Sequence, residues 1–233
     1  LTPRIQKTAL LLWGVYVILS AAETILLMAA GMGLSFALTH TFGTMATGGF
    51  SPKNASVGFY RSPAVDWIIT VFMFLAGGNF ALYFAALRGN PGRLFRSREW
   101  RLYASIVTGR IVVVAISLMA ARSHFSVGHA FREATFQVIS IQSTTGFVSA
   151  DFDQWNTFAK TILVLLMFVG GCAGSTAGGF KVARLFVLLK STRHELTRQM
   201  HPQAVLPLRA GNRIISESMR VAVLQYFVLY ILI

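Results

Sequence analysis

Residues 170–180 read GGCAGSTAGGF, five glycines in eleven positions and no charge. They interrupt an apolar run, with FAKTILVLLMFV (158–169) before them and KVARLFVLLK after. A run of that length belongs in lipid, where every backbone N–H and C=O must find a partner inside the protein. A helix meets that demand. A glycine-rich break meets it only where it is buried in protein or lines a cavity. Nucleotide readings fail on spacing. A phosphate loop requires Gly, four residues and then Gly-Lys-Ser/Thr, whereas Lys181 here lies between Phe180 and Val182. No three of these glycines have G-x-G-x-x-G spacing. A helix-packing surface, a kink or an unwound segment remain, and small residues in membrane helices commonly mean packing.

Composition supports a polytopic membrane protein. The chain is 55% hydrophobic and 12% charged, against about 25% charged in a soluble domain, and its mean hydropathy is +0.61. The net charge of +13 raises nucleic acid as a partner. The basic residues, however, sit in short segments between apolar runs, as positive-inside loops do, and no nucleic-acid partner is expected. The single Cys172 excludes a disulfide framework and a Cys-based zinc site within this chain. Nothing resembles a cleavable signal peptide. With no starting Met and an end inside YFVLYILI, the expectation is an internal fragment of a longer protein.

Apolar segments long enough to span, about 20 residues each, fall near 8–33, 64–88, 99–121, 154–190 and 215–233. Two shorter ones, SFALTHTFGTM (35–45) and HAFREATFQVISIQ (129–142), suit re-entrant helices. Lys and Arg set the orientation. The stretch 88–101 holds five and 181–213 holds seven, so both are expected to be cytoplasmic. The re-entrant segments then enter from outside, where Asp66, Glu133, Asp151 and Asp153 also lie. A solvated rim explains these acids; a cation-attracting mouth is the sharper alternative.

An internal repeat organises the chain. FGTMATGGFS (42–51) resembles SIQSTTGFVS (140–149), and Thr47-Gly48 overlays Thr145-Gly146 at an offset of 98. MFLAGG (73–78) overlays MFVGGC (167–172) at an offset of 94. Each unit reads span, re-entrant helix, Thr-Gly loop, span. Both units begin and end on the same side, so the repeat is parallel rather than inverted. Backbone carbonyls in an extended loop can replace the hydration shell of a cation. Glycine at positions 48 and 146 keeps side chains off the axis. Thr47 and Thr145 can add oxygens, and the negative ends of the half-helices favour a cation at the loop. The plain alternative is a turn between helices.

On TMATGGFS with SVGFYRSP, STTGFVS, FVGGCAGSTAGGFKVARL and MHPQAVLPLRAGNR, the chain resembles the TrkH family, membrane subunits of bacterial potassium uptake systems in the Trk/Ktr/HKT superfamily. The resemblance implies an all-α membrane protein of repeated span–pore helix–span units around a pseudo-fourfold cation pore. Residues 7–90 would be the second pore quarter, with pore helix 35–45, filter loop 46–50 and span 64–88. Residues 98–196 would be the third, with span 99–121, pore helix 129–142, filter loop 144–148 and a broken span 154–190. Residues 209–233 would begin the fourth.

Ala46, Thr47, Gly48 and Gly49, and Thr144, Thr145, Gly146 and Phe147, would be filter strands. K+ would sit at Thr47, Gly48, Thr145 and Gly146, as transported ion and not as cofactor. The loop 170–180 would be the gate. Gly170, Gly171, Gly174, Gly178 and Gly179 would give it flexibility, and Ser175 and Thr176 would satisfy freed backbone groups or meet the ion. The implied setting is the bacterial inner membrane, in contact with lipid, as a homodimer on a cytoplasmic nucleotide-binding ring of the TrkA type. Its docking surface would be 88–101 and 181–213.

Other residues have bland readings beside functional ones. Glu23 inside the first span is a functional candidate by default, or a structural brace. For Arg110, mid-span, the sharper readings are a pair with Glu23 or a pore-facing position, and the plainer one is a brace or snorkelling role. Lys181 and Arg184 are expected as positive-inside anchors, with a latch of the loop to an acid as the sharper alternative. His40 lies in the first re-entrant helix, and His124, His129, His194 and His201 lack metal-ligand spacing. No nucleophile–base pair stands out, and no enzyme is expected. Two competing classes are a secondary transporter using the broken helix as a midplane substrate site, which inverted repeats would favour, and a non-transporting receptor bundle. The latter does not require a Thr-Gly loop in each repeat.

Overall fold

The computed structural model describes residues 3–121, 126–200, 209–210 and 213–232. The first repeat begins with α1 (Pro3–Ala29), turns through Gly31 into the half-helix α2 (Leu34–Met45), and continues into α3 (Pro63–Ala76) and α4 (Phe80–Leu87). A short α5 (Gly92–Arg96) leads to the second repeat: α6 (Arg98–Ala121), the half-helix α7 (Val127–Gln142), α8 (Thr157–Met167) and α9 (Val182–Met200). The described chain ends with α10 (Glu217–Leu232). Before it, β1 (Arg209–Ala210) pairs antiparallel with β2 (Arg213–Ile214), a small departure from the all-α expectation. Most of the 200–213 motif, with Arg122, His124 and His201, lies outside the described residues.

Helix starts follow local chemistry. Pro63 opens α3, where its missing N–H has no partner to lose. The Ser126 side chain accepts the His129 N–H at the start of α7, and Asn156 accepts the Ala159 N–H at the start of α8. One apolar core joins the repeats: Ile69 and Met73 of α3, Tyr103 and Val107 of α6, Phe136 of α7, and Leu163 of α8 are buried together. The Tyr103 hydroxyl donates to the Phe74 carbonyl at 3.1 Å. Arg132 of α7 lies 3.4 Å from Asp66 of α3, so one of the four acids expected on the outer side forms a cross-repeat ion pair. The apolar side chains Trp13, Ile18 and Ile25 on α1, Ile116 on α6 and Leu165 on α8 face outward. Apolar residues all around a helix are a membrane pattern.

Two stretches, Ala9–Ala29 and Arg98–Ala121, are long and apolar enough to cross a membrane as single helices. The expected span 64–88 is not one helix. It breaks between Ala76 and Phe80, and its halves meet at 102°. Asn79 explains the break, since its side chain accepts the Ala81 N–H at 2.9 Å and starts a new helix inside an apolar run. The run 154–190 becomes α8 and α9, separated by the loop Phe168–Lys181.

Candidate functional site

The half-helices α2 and α7 end in the same backbone. The N–H groups of Gly48 and Gly49 both donate to the Gly43 carbonyl, at 2.9 and 3.1 Å. Those of Thr145 and Gly146 both donate to the Ser140 carbonyl, at 2.9 and 3.2 Å. Thr47 (φ 54°) and Thr144 (φ 58°) are left-handed, as are Gly49 (64°) and Gly146 (86°). The repeat therefore runs at an offset of 97, not 98. Thr47-Gly48-Gly49-Phe50 superposes on Thr144-Thr145-Gly146-Phe147. Ala46 drops out of the expected filter strand. It is the right-handed cap of α2 (φ −83°, ψ −3°), like Ser143 on α7 (φ −78°, ψ −3°). Of the expected ion positions, Thr47 pairs with Thr144, Gly48 with Thr145, and Gly146 with Gly49.

The two loops abut. A Cβ on Gly49 would lie 2.0 Å from the Thr145 carbonyl oxygen, whereas one on Gly146 would meet nothing within 4 Å. Only glycine fits the first position. The second faces open space. Behind them, the Ser140 hydroxyl donates to the Phe147 carbonyl at 2.6 Å, and the hydroxyls of Ser143 and Thr145 lie 2.8 Å apart.

The glycine-rich loop lies bonded to the loops that follow both half-helices. The Thr47 hydroxyl donates to the Thr176 carbonyl at 3.1 Å, and the Thr144 hydroxyl accepts the Gly178 N–H at 2.7 Å. Superposed threonines thus grip the loop from two sides. Gln142, the last residue of α7, donates to the carbonyls of Val169 and Gly170, each at 2.9 Å. The break in the first repeat supplies more partners. The Cys172 N–H donates to the Gly77 carbonyl at 2.8 Å, the Thr176 hydroxyl to the Ala76 carbonyl at 3.2 Å, and the Phe80 N–H to the Gly174 carbonyl at 3.2 Å. Within the loop, the Gly170 N–H donates to the Phe180 carbonyl at 3.0 Å, and a Cβ on Gly170 would meet the Gly178 oxygen at 1.9 Å. The Ser175 hydroxyl donates to the Cys172 carbonyl at 2.6 Å. Phe180 closes the loop against Tyr226, Phe227 and Tyr230 of α10, with ring centroids 5.4 to 6.0 Å apart. Unwound backbone at membrane depth needs this kind of internal pairing.

A family model described as TrkH, cation transport protein, matches residues 1–233. The chain belongs to the TrkH family. It is 37% identical over 232 residues to the Trk system potassium uptake protein TrkH of Escherichia coli K12, covering 99% of this chain and 48% of that one. It is 31% identical to TrkG of the same strain over 233 residues. The crystal structure of the potassium transporter TrkH from Vibrio parahaemolyticus superposes with a TM-score of 0.94 at 36% identity, covering all of this chain and 50% of that one. The chain spans about half the length of the relatives it matches. Family membership makes it a membrane protein.

The sequence left several residues of this chain without a partner or a role. Arg110 does not pair with Glu23. It donates to the Gln142 side-chain oxygen at 2.9 Å, so it braces the glutamine that holds the loop. Glu23 is buried against Thr44, whose hydroxyl is committed to the His40 carbonyl at 2.9 Å. Its carboxyl oxygens have no hydrogen-bond partner among the described residues. His40 lies against residues of both expected filter regions. Its Nδ1 lies 2.8 Å from the Phe36 carbonyl, its Nε2 lies 3.1 Å from the Ser51 hydroxyl, and its ring stacks on Phe147. Lys181 folds back to donate to the Ala177 carbonyl, and Arg184 lies over the Tyr226 ring at 4.1 Å. Glu99, in the first turn of α6, accepts the Ala173 N–H. Nothing in the local sequence around Glu99 marks that role.

Proposed function

We propose that this chain supplies two filter strands and the gating loop of a potassium-conducting pore, as part of the membrane subunit of a bacterial potassium uptake system. One observation carries the reading: two half-helices end in the same four-residue backbone, and a glycine-rich loop is hydrogen-bonded to both ends. The half-helix ends bring partial negative charge to the filter loops, whose carbonyls replace water around the ion. The loop Phe168–Lys181 lies against those ends and blocks the exit until it moves. The relatives named Trk system potassium uptake proteins support potassium as the ion.

The pore would be completed by two further quarters and set in the inner membrane, with filter loops outside and the basic segments 88–101 and 181–213 inside. A homodimer resting on a nucleotide-binding ring of the TrkA type would dock on those segments. A secondary transporter with a midplane site is disfavoured by the parallel repeat.

The test is potassium and sodium flux into proteoliposomes holding the full-length parent, with Gly146→Ser beside it. Serine at φ 86° is strained, and its side chain enters open space. Potassium flux should dominate in the parent, and the substitution should erode that preference. Absence of both fluxes, with the cytoplasmic partner supplied, would end the pore reading.

A further inference from the structure

The bonds that hold the loop differ in kind. Those from the first repeat run mostly between backbone groups, and those from the filter side come from neutral hydroxyls and an amide. Glu99 is the acidic side chain that bonds the loop among the described residues, through the Ala173 N–H. It reaches the loop from the first turn of α6, about three turns before Arg110, the α6 residue that bonds Gln142 at the end of α7. The Asn79 side chain also reaches Glu99, and its other end starts α4 at the break of the first repeat. Lys181, at the loop's end, carries the opposite charge close to Glu99, and its ammonium turns back to the Ala177 carbonyl and to Ser175 at 3.5 Å. Glu99 and Lys181 thus bracket residues 173–177 in a partly buried setting. A carboxylate accepting a backbone N–H is roughly twice as strong as a neutral pair, and its charge is screened little there.

We infer that Glu99 is the positioning residue that latches the glycine-rich loop in its closed place from the side opposite the filter. The inference rests on the loop being the gate. Glu99 also lies within the basic stretch 88–101, two residues past Ser97, whose hydroxyl accepts the Trp100 N–H at the start of α6.

The experiment uses the full-length protein in proteoliposomes and compares potassium flux for the parent, Glu99→Ala, Glu99→Gln, Glu99→Asp, a deletion within 171–179, and that deletion combined with Glu99→Ala. Glu99→Ala should raise flux about tenfold, the equivalent of about 1.4 kcal/mol. Glu99→Gln keeps an acceptor without the charge, so it should raise flux less, and Glu99→Asp should stay near the parent. In the deletion, Glu99→Ala should change nothing further, which a merely structural role would not produce. Where Glu99→Ala does not accumulate, the isosteric Glu99→Gln carries the test. Parent-like flux in both neutral variants, while the deletion raises flux, overturns the latch and leaves the gate standing. An additive effect of Glu99→Ala in the deletion also overturns the latch. A deletion that leaves flux unchanged removes the gate reading itself, and the latch with it.

Discussion

The second spans of the two repeats start alike and break differently. In the first repeat, α3 stops at Ala76 and α4 resumes at Phe80, a tight elbow of 102°. In the second, α8 stops at Met167 and α9 resumes only at Val182. Each break frees backbone groups that lipid cannot satisfy, and each satisfies the other's. The elbow gives the carbonyls of Ala76 and Gly77 and the N–H of Phe80. The loop gives the Thr176 hydroxyl, the Cys172 N–H and the Gly174 carbonyl. One copy of the repeat has become a receptacle and the other its occupant. The same divergence appears at the half-helix ends. Met45 is fully buried in apolar packing, while Gln142, its counterpart at the offset of 97, is buried and bonded to Arg110 and the loop.

Removing the occupant breaks that comparison most severely. A deletion within 171–179 leaves the elbow's groups to water in an emptied passage. Flux should rise tenfold or more, since each 1.4 kcal/mol of barrier is about a factor of ten. Proteoliposome flux at matched protein density measures it. An unchanged flux from a normally folded protein would mean that the loop does not obstruct the path.

Gly170→Val is next. The loop turns back so closely that a Cβ there would lie 1.9 Å from the Gly178 oxygen. Backbone, not a mobile side chain, must shift, and overpacking of this kind costs about 1–3 kcal/mol. The counterpart in the first repeat, at the offset of 94, is Ala76, which already carries a Cβ at the elbow. Ala76→Gly should therefore cost no more than about 1 kcal/mol. Thermal midpoints of the purified full-length protein should order Gly170→Val well below Ala76→Gly. Equal midpoints would show that the loop absorbs the added bulk.

Much of the architecture was legible because lipid imposes lengths. Segments 35–45 and 129–142 were too short to span, and α2 and α7 occupy nearly those residues. The register between the two expected filter loops was not legible by residue identity. Matching Thr-Gly to Thr-Gly gives 98, whereas T-G-G-F over T-T-G-F gives 97, and the deciding fact is which carbonyl gathers two N–H groups at each helix end. The elbow was missed because Gly77-Gly78-Asn79 lies in an apolar run where glycine pairs also serve packing. Only the Asn79 cap, a side-chain bond, turns it into a break. The loop's partners were out of reach for a different reason. Glu99 is 74 residues from Ala173, and Thr47 is 129 from Thr176.

Gln142→Met would make the second repeat copy the first. Two loop carbonyls and the Arg110 guanidinium lose their partner together. An unsatisfied buried group costs about 1–3 kcal/mol, so the midpoint should fall and flux should rise, by less than in the deletion. The reciprocal Met45→Gln places an amide in an apolar cluster and should destabilise without altering flux. A flux increase from both would deny the asymmetry.

The smallest effects come from the threonines that superpose. Thr144→Val and Thr47→Val leave the branched shape and the left-handed backbone as they are, so each removes a hydroxyl and little else. The losses are unequal. Thr144 accepts the Gly178 N–H at 2.7 Å, and without it that amide loses its protein partner. Thr47 only donates, its one proton shared between the Ala46 carbonyl at 2.7 Å and the Thr176 carbonyl at 3.1 Å, a contribution of about 0.5–1.5 kcal/mol. Hydrogen exchange of peptides covering 170–180 should quicken more in Thr144→Val than in Thr47→Val, and Thr47→Ser should match the parent. Equal acceleration in the two valine variants would mean that the loop is gripped evenly by both repeats, and that the second repeat's hold on its own loop is no stronger than its neighbour's.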